Sequence, residues 1–401
     1  MMMGRAKQWY FEQLERGYDE AEGEICADCV TDATLKSWVT DNAVSGVCRF
    51  CGRESDESIA ASFDDFIGIV LTGVRFDWNH PDDEGIMYIS AEGGYQASVN
   101  DIWEVLAEYD ISEDTEVVDA IIEAVGNDGW VDREFYRGDK SQLLEWGWDW
   151  FKQVVKHETR YVFLAPNEDD EVTEVPPSRM LAAIGATVLD ELADLNLIKE
   201  VSVDTDLFRI RIGDELYHTA AEIGTPPAEF ANQSNRMSPA GIPMFYGAFD
   251  IATARAETLD PNLHSDQTLS IGTFRSTRNL RVLDLVDMPD IPSVFEEDGH
   301  YRIHPLRFLH AFARDIVQPI ARDGREHIEY VPTQIVTEYF RRVFRDASGN
   351  SIDGIIYRSS RPGGERAFVL FCENDQCSAP DDGPSFVEQL VKLTNVAHDQ
   401  I

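Results

Sequence analysis

The sequence predicts a multidomain α+β protein, in which a small cysteine-rich segment and a helical region precede a mixed α+β domain. Its 401 residues exceed what one ordinary hydrophobic core accommodates. Two close pairs of cysteines stand near the start of the chain. Beyond about residue 200, helical spacing of the apolar residues gives way to short runs typical of strands.

The composition is strongly acidic, with 74 Asp and Glu against 34 Lys and Arg and a formal net charge of −40. Such self-repulsion needs screening, which indicates adaptation to high salt, as in a halophilic host. The same charge argues against non-specific binding of nucleic acid, because a phosphate backbone would be repelled. Arginine far outnumbers lysine, which occurs only at Lys7, Lys36, Lys140, Lys152, Lys156, Lys199 and Lys392.

The chain contains no apolar run long enough to cross a bilayer. Its first 24 residues carry too many charges for a signal peptide. We therefore expect a cytoplasmic protein with no membrane partner.

Residues 1–24 are predicted to form a helix, and two cysteine pairs follow it. Eighteen residues separate the pairs, a spacing typical of a structural zinc site in which each pair directs two thiolates at one tetrahedral ion. Two disulfides or four free thiols are the alternatives, and disulfides fit a cytoplasmic protein poorly. The predicted zinc ligands are Cys26, Cys29, Cys48 and Cys51.

From Ser62 to about Glu200 the apolar pattern is mostly helical, and Leu143–Val155 forms an aromatic helix rich in Trp. The Trp cluster is interpreted as helix packing, with a ligand platform as the alternative. At the end of this helix His157 and Arg160 stand close together. An acid–base pair that cleaves RNA is one interpretation, and a charge pair favoured by the helix dipole is the other.

The second half alternates strands and helices. A strand over 202–212 carries Arg209 and Arg211 on one face, because side chains alternate along a strand. Loop 360–366 joins the last two predicted strands, and an amphipathic helix over 384–396 ends the chain. The other predicted elements are strands 269–274, 280–285, 354–359 and 367–371 and helices 305–320 and 332–344.

The segment from Asn235 to Glu257 is the strongest candidate for a binding site. Arg236 lies in a Pro- and Gly-rich turn, Tyr246 ends a short strand, and Glu257 lies in a helix that Asp250 is placed to cap. Together they indicate a pocket for an anionic ligand with an aromatic group, since the guanidinium fork suits phosphate. The alternative is a surface arginine, a core tyrosine and a solvated glutamate.

The region from about Leu207 to Phe371 resembles the RES domain, named for its Arg, Glu and Ser. The Arg is Arg209, in Phe208-Arg209-Ile210. The Glu is Glu257, and the Ser is Ser359, in Tyr357-Arg358-Ser359, with Glu365 following at the expected distance. The turn 235–241 stands at the family's Gly-Arg-Trp-Asn-x-x-Gly turn, with Met237 for Trp and Ser238 for Asn, and Ala367 replaces a later Asn.

Cysteine knuckles followed by helices and then this domain also resemble a HEPN-like region fused to RES. The order Arg then His of HEPN ribonucleases is not present around His157 and Arg160, so ribonuclease activity is not carried over. The domains expected on this basis are an N-terminal helix with its zinc knuckle, a HEPN-like region, an ADP-ribosyltransferase-like α+β RES domain and a C-terminal helix or tail. Their predicted boundaries are 1–57, 58–200, 201–376 and 377–401.

The resemblance implies an enzyme that consumes NAD by splitting the nicotinamide–ribose bond, as the toxin of a toxin–antitoxin or defence system with a protein antitoxin or regulator as partner. A transferase that attaches ADP-ribose to a macromolecule is one alternative, and an interaction protein with an inactive pocket is another. Glu257, Arg209 and Ser359 are the implied catalytic residues. The implied NAD-binding residues are Arg236, Tyr246, Arg211, Tyr357 and Glu365.

The chemistry of glycosidic cleavage, which builds positive charge on the ribose, is consistent with the roles that the resemblance implies. Glu257 would stabilise that charge or hold the ribose hydroxyls. Arg209 and Arg236 would hold the pyrophosphate, and Ser359 would donate a further hydrogen bond. Tyr246 would stack on the nicotinamide ring, with Tyr217 and Tyr357 as rival aromatic residues.

Overall fold

The computed structural model describes residues 16–91, 93–126, 129–161, 176–259, 267–320, 324–361, 365–379 and 386–400. The predicted first helix lies mostly outside these residues, and residues 17–24 are not helical. The chain forms two compact units. The first comprises Met1–Leu143 and Ile291–His304, and the second Leu144–Asp290 and Pro305–Ile401. Among the described residues, no helix is long and apolar enough to cross a membrane.

The first unit is mostly helical, as its apolar spacing predicts. Asp and Ser side chains at the N-termini of its helices accept backbone N–H bonds, which caps the otherwise unpaired donors. Short two-stranded ladders join the helices. The elements are β1 (Glu24–Cys26), α1 (Ala33–Asp41), β2 (Ala60–Ser62), α2 (Phe63–Asp77), β3 (Trp78–Asn79), β4 (Tyr88–Ile89), β5 (Gly94–Tyr95), α3 (Ile102–Leu106), α4 (Thr115–Val125) and β6 (Val131–Asp132).

The second unit is built on a nine-stranded mixed sheet in the order β14-β15-β10-β8-β9-β13-β12-β11-β7. Neighbours are antiparallel except for the pairs β11–β12 and β14–β15. The strands are β7 (Ile198–Val201), β8 (Leu207–Gly213), β9 (Phe245–Ala248), β10 (Thr268–Ser276), β11 (Leu280–Asp284), β12 (Gly354–Arg358), β13 (Arg366–Leu370), β14 (Cys377–Ser378) and β15 (Val391–Gln400).

Helices cover this sheet, and the largest core of the unit lies beneath them. Trp148 and Phe151 of the aromatic helix are buried in this core with Phe308 and Phe312, so the Trp-rich helix packs as interpreted. The helices are α5 (Lys140–His157), α6 (Pro177–Val188), α7 (Ala220–Ile223), α8 (Ile251–Thr258), α9 (His300–Ile316), α10 (Glu326–Glu329) and α11 (Val331–Arg342).

The predicted α+β class is confirmed, and most elements lie within a few residues of their expected positions. The predicted C-terminal helix is wrong, because Val391–Gln400 forms β15 and pairs with β10. Burial alternates over Val391, Lys392, Leu393 and Thr394, which is the period of a strand. A strand also satisfies the backbone groups of β10, which would otherwise form an open edge.

The two compact units do not follow the predicted boundaries at residues 57 and 200. The cysteine knuckle shares its core with α2, since Cys26 and Cys48 are buried with Phe63 and Phe66. The aromatic helix belongs from Leu144 onward to the second unit.

Candidate active site

A glutamate and a serine far apart in the chain meet where β12 ends, in the second unit. Asp250 caps α8 as predicted, accepting a 2.7 Å hydrogen bond from the backbone N–H of Thr253, and Glu257 lies in the last turn of the helix. Ser359 directly follows β12, is 7% exposed, and donates a hydrogen bond from Oγ to Oε1 of Glu257. The structure therefore brings two of the three predicted catalytic residues together.

The loop that carries Ser359 is fixed to α8 at a second point. Thr253 Oγ1 accepts a 3.0 Å hydrogen bond from the backbone N–H of Glu365. The Ser359 N–H donates to the Glu365 carbonyl at 2.9 Å, and the Arg361 N–H donates to Ser359 Oγ at 3.2 Å. Because its oxygen accepts from Arg361, Ser359 is oriented to donate to Glu257. Glu365 thus contributes through its backbone, while its exposed carboxylate lies 3.7 Å from Arg358.

Tyr246 holds the turn that precedes β9. Its hydroxyl donates to Ser238 Oγ at 2.9 Å and accepts from the Met237 N–H at 3.3 Å. Burial raises the pKa of Tyr246 to about 12, so the phenol is neutral at physiological pH. Ser238 is 2% exposed, and its partnership with Tyr246 was not predicted because their hydrogen bond depends on the folded turn.

Tyr357 is a buried residue of β12 whose pKa depends on the charges of the site. Burial, followed by the charge of Glu257, raises its pKa well above the usual value, while Arg236 lowers it. Tyr357 and Ser359 are two positions apart along the same extended segment, so they share a face. Tyr246 and Tyr357 both pack against the largest core, which places Glu257, Ser359 and the two tyrosines on one side of the sheet.

Arg236 precedes Met237, which bonds to Tyr246, and one nitrogen of its guanidinium group is already hydrogen-bonded. Its Nη1 donates to the carbonyl oxygens of Ile316 at 3.0 Å and Gln318 at 2.6 Å. Its guanidinium carbon stands 5.7 Å from the centre of the Tyr330 ring. These contacts orient the remaining donors without neutralising the positive charge.

Arg209 is not brought to Glu257. Its Nε donates to the carbonyl oxygens of Ile223 at 2.8 Å and Gly224 at 3.0 Å, and its Nη1 to that of Tyr246 at 2.7 Å. Its guanidinium carbon stands 5.2 Å from the centre of the Phe245 ring, on the face opposite Tyr246. Burial lowers its pKa to about 10, so it stays charged at neutral pH.

Arg211 lies on the same face of the sheet as Arg209 and also bonds to a backbone carbonyl. It donates to the Glu222 carbonyl, and its guanidinium stands 5.0 Å from the centre of the Tyr217 ring. The structure does not bring either arginine to the Glu257–Ser359 pair, because both side chains lie on the opposite face of the sheet, and the role of either as a ligand stays a prediction. The alternation of side chains along β8 predicted that Arg209 and Arg211 share a face of the sheet, but it could not predict which face.

We expect Arg209→Met to lower the free energy of unfolding of the second unit by at least about 3 kcal/mol, because three carbonyl groups lose a charged donor. Urea unfolding followed by hydrogen exchange measures this. Arg211→Met, which removes one bond nearer the surface, should change it by less than about 1 kcal/mol. Equal effects of the two substitutions would contradict a structural role for Arg209.

The four N-terminal cysteines form a cluster that fits a tetrahedral metal. Their Sγ atoms all lie within 4.8 Å of one another, with Cys26–Cys29 at 3.8 Å, Cys26–Cys51 at 3.6 Å and Cys29–Cys48 at 3.8 Å. Four Zn–S bonds of about 2.3 Å place tetrahedral sulfurs about 3.8 Å apart. The Cys26 N–H also donates to Cys48 Sγ at 3.3 Å, which favours a thiolate there. The cluster could bind a metal such as zinc.

His157 and Arg160 lie at the C-terminal end of α5. Arg160 donates to the carbonyl of Lys156 at 3.1 Å, so it caps an unpaired carbonyl of the last turn. This contact favours the charge-pair interpretation of His157 and Arg160 over the RNA-cleaving one.

Two family models match this chain. Residues 206–387 match the RES domain, and residues 41–169 match HEPN/RES N-terminal domain 1. The chain therefore contains a RES domain preceded by a HEPN/RES N-terminal domain, which confirms the predicted resemblance. At the family level, a RES domain supports an NAD-related, toxin-like function. No curated protein and no solved structure matches the chain.

Proposed function

We propose that this protein cleaves the nicotinamide–ribose bond of NAD, as a glycohydrolase or phosphorylase and as the toxin component of a toxin–antitoxin or defence system. The observation that carries the proposal is the hydrogen bond between Ser359 and Glu257, within a segment that matches the RES domain. A protein antitoxin or regulator would be its partner.

The reaction needs a negative charge close to the ribose, because the transition state resembles an oxocarbenium ion. Glu257 supplies the carboxylate, and Ser359 fixes its orientation so that no reorganisation is needed during the reaction. Nicotinamide leaves as a neutral group, so the step requires no general acid. Tyr246 and Tyr357 lie on the same side of the sheet, and Arg236 is a cation that can bind the diphosphate.

The second candidate is an ADP-ribosyltransferase that uses the same residues. It is favoured by the same pair, because stabilising the ribose cation is common to both reactions and only the acceptor differs.

The test is to incubate the full-length protein in molar salt with NAD and to separate the products chromatographically. We expect release of nicotinamide together with ADP-ribose, or with its 1-phosphate if phosphate is required. ADP-ribose recovered only on protein or nucleic acid would instead assign the transferase. NAD binding without any nicotinamide release would support a RES-like interaction protein.

A further inference from the structure

Two of the seven lysines of this acidic chain line one cavity in the second unit. Lys152 and Lys156 are one turn apart on α5, so they share a side of the helix. The cavity has a volume of about 430 Å³ and also contains Arg236, the arginine of the RES-like turn. Such a concentration of cations is unusual for a chain with a net charge of −40.

Positive charge exceeds negative charge in this cavity. Four cationic side chains line it, Lys152, Lys156, Arg236 and Arg325, against two carboxylates, Asp315 and Glu329. Among the residues that the structure describes, Arg236 bonds only to backbone carbonyls, so its charge is not offset by a carboxylate. Asp149 outside the lining also contacts Lys152, so among the described residues the excess is one positive charge, which suits an anion.

The carboxylates position the lysines without using all their donors. Lys152 Nζ lies 2.9 Å from both Asp315 and Asp149, and Lys156 Nζ lies 2.6 Å from Glu329. The two lysine side chains are 25% and 20% exposed. An ammonium group has three donors, so with respect to the described residues one donor remains at Lys152 and two remain at Lys156 beyond these contacts.

Arg236 connects the cavity to the residues near the Glu257–Ser359 pair, because the two residues that follow it, Met237 and Ser238, both bond to the Tyr246 hydroxyl. Arg236 lines the cavity, and its charge lowers the pKa of both Tyr246 and Tyr357 against the larger effect of burial. The charge of Glu257 acts on Tyr357 as well. Tyr357 is thus subject to the charges of both Glu257 and Arg236, and it lies two positions before Ser359 in the chain.

We propose that this cavity binds a phosphate group of the dinucleotide, with Lys152 and Lys156 as its ligands beside Arg236. This inference rests on the proposed function. It gives a substrate-binding role to the helix that precedes the RES domain, since α5 lies within the segment matched by the HEPN/RES N-terminal model and outside the RES match. The segment before the RES domain then completes the substrate site.

The test measures binding of inorganic pyrophosphate by calorimetry, and the KM for NAD, on the full-length chain at one fixed ionic strength. The double variant Lys152→Met/Lys156→Met should raise the Kd for pyrophosphate and the KM for NAD at least about tenfold each, because two charge-assisted contacts are lost. Lys392→Met, at an exposed position on β15, is the matched control and should change neither. Lys152→Arg/Lys156→Arg should restore most of the pyrophosphate binding.

The outcomes separate the two proposals. The cavity assignment would be overturned if the double Met variant and the Lys392→Met variant bound pyrophosphate with equal affinity, even if NAD is still cleaved. Lysine-dependent pyrophosphate binding without any NAD cleavage would instead overturn the proposed reaction and keep the cavity. If the double Met variant does not fold, the same comparison is made with each single Met variant.

Discussion

Glu257→Gln is expected to lower the rate of nicotinamide release by about a thousandfold, the upper range for loss of one preorganised electrostatic group. The amide is nearly isosteric and its oxygen can still accept the hydrogen bond from Ser359. What it lacks is the negative charge that stabilises the ribose cation. The effect should therefore appear in kcat more than in KM.

The same substitution should leave the fold intact. Glu257 lies in the last turn of α8, where the helix dipole disfavours a carboxylate by about 0.3–1 kcal/mol. Removing the charge relieves this unfavourable interaction, which offsets part of the stability lost when the hydrogen bond to Ser359 becomes weaker. We therefore expect the free energy of unfolding to change by less than about 1 kcal/mol. Glu229→Gln, at an exposed position, is the control and should retain full activity. A Glu257→Gln enzyme with more than a tenth of the wild-type rate would exclude the assigned role.

Removal of zinc is expected to unfold the cysteine knuckle and the core it shares with α1 and α2. A structural zinc site contributes on the order of 10 kcal/mol of apparent binding free energy, which is comparable to the whole free energy of unfolding of a small domain. Cys26 and Cys48 are buried beside Phe63 in that core, so four uncoordinated thiolates cannot remain in place. Chelation followed by hydrogen exchange should show fast exchange over β1, β2 and α1.

The second unit should keep its protection in the same experiment, because its cores contain none of these cysteines. Cys29→Ser should reproduce the chelated pattern, and adding chelator to that variant should change nothing more. Metal analysis should find one zinc per chain before chelation. Simultaneous loss of protection on β8 and β10 would show that the two units do not unfold separately.

Local sequence signals predicted the part of the site that local structure determines. Asp250 followed by alanines predicted α8, and the helix then fixes where Glu257 emerges. The cysteine spacing predicted the four-cysteine cluster for the same reason, since each pair forms a tight knuckle.

Contacts between distant parts of the chain determined the remainder. The face of the sheet on which Arg209 lies depends on the strands that pair with β8 and on the carbonyls of residues 223 and 224 that it bonds. Only the tertiary fold determines these partners. The cavity at Lys152 likewise requires α5 to pack beside α9, 163 positions later in sequence at Asp315. The scarcity of lysine was a signal that could have drawn attention to these positions.

The measurement that tests the central claim most directly is a double-mutant cycle on nicotinamide release with Glu257→Gln, Ser359→Ala and the double variant. If the two residues act as one unit, the double variant should be no slower than Glu257→Gln alone, within about threefold. Ser359→Ala alone should lose about tenfold, because the carboxylate remains but is no longer held in place. Losses that multiply in the double variant would show that Glu257 and Ser359 act independently and would contradict the account.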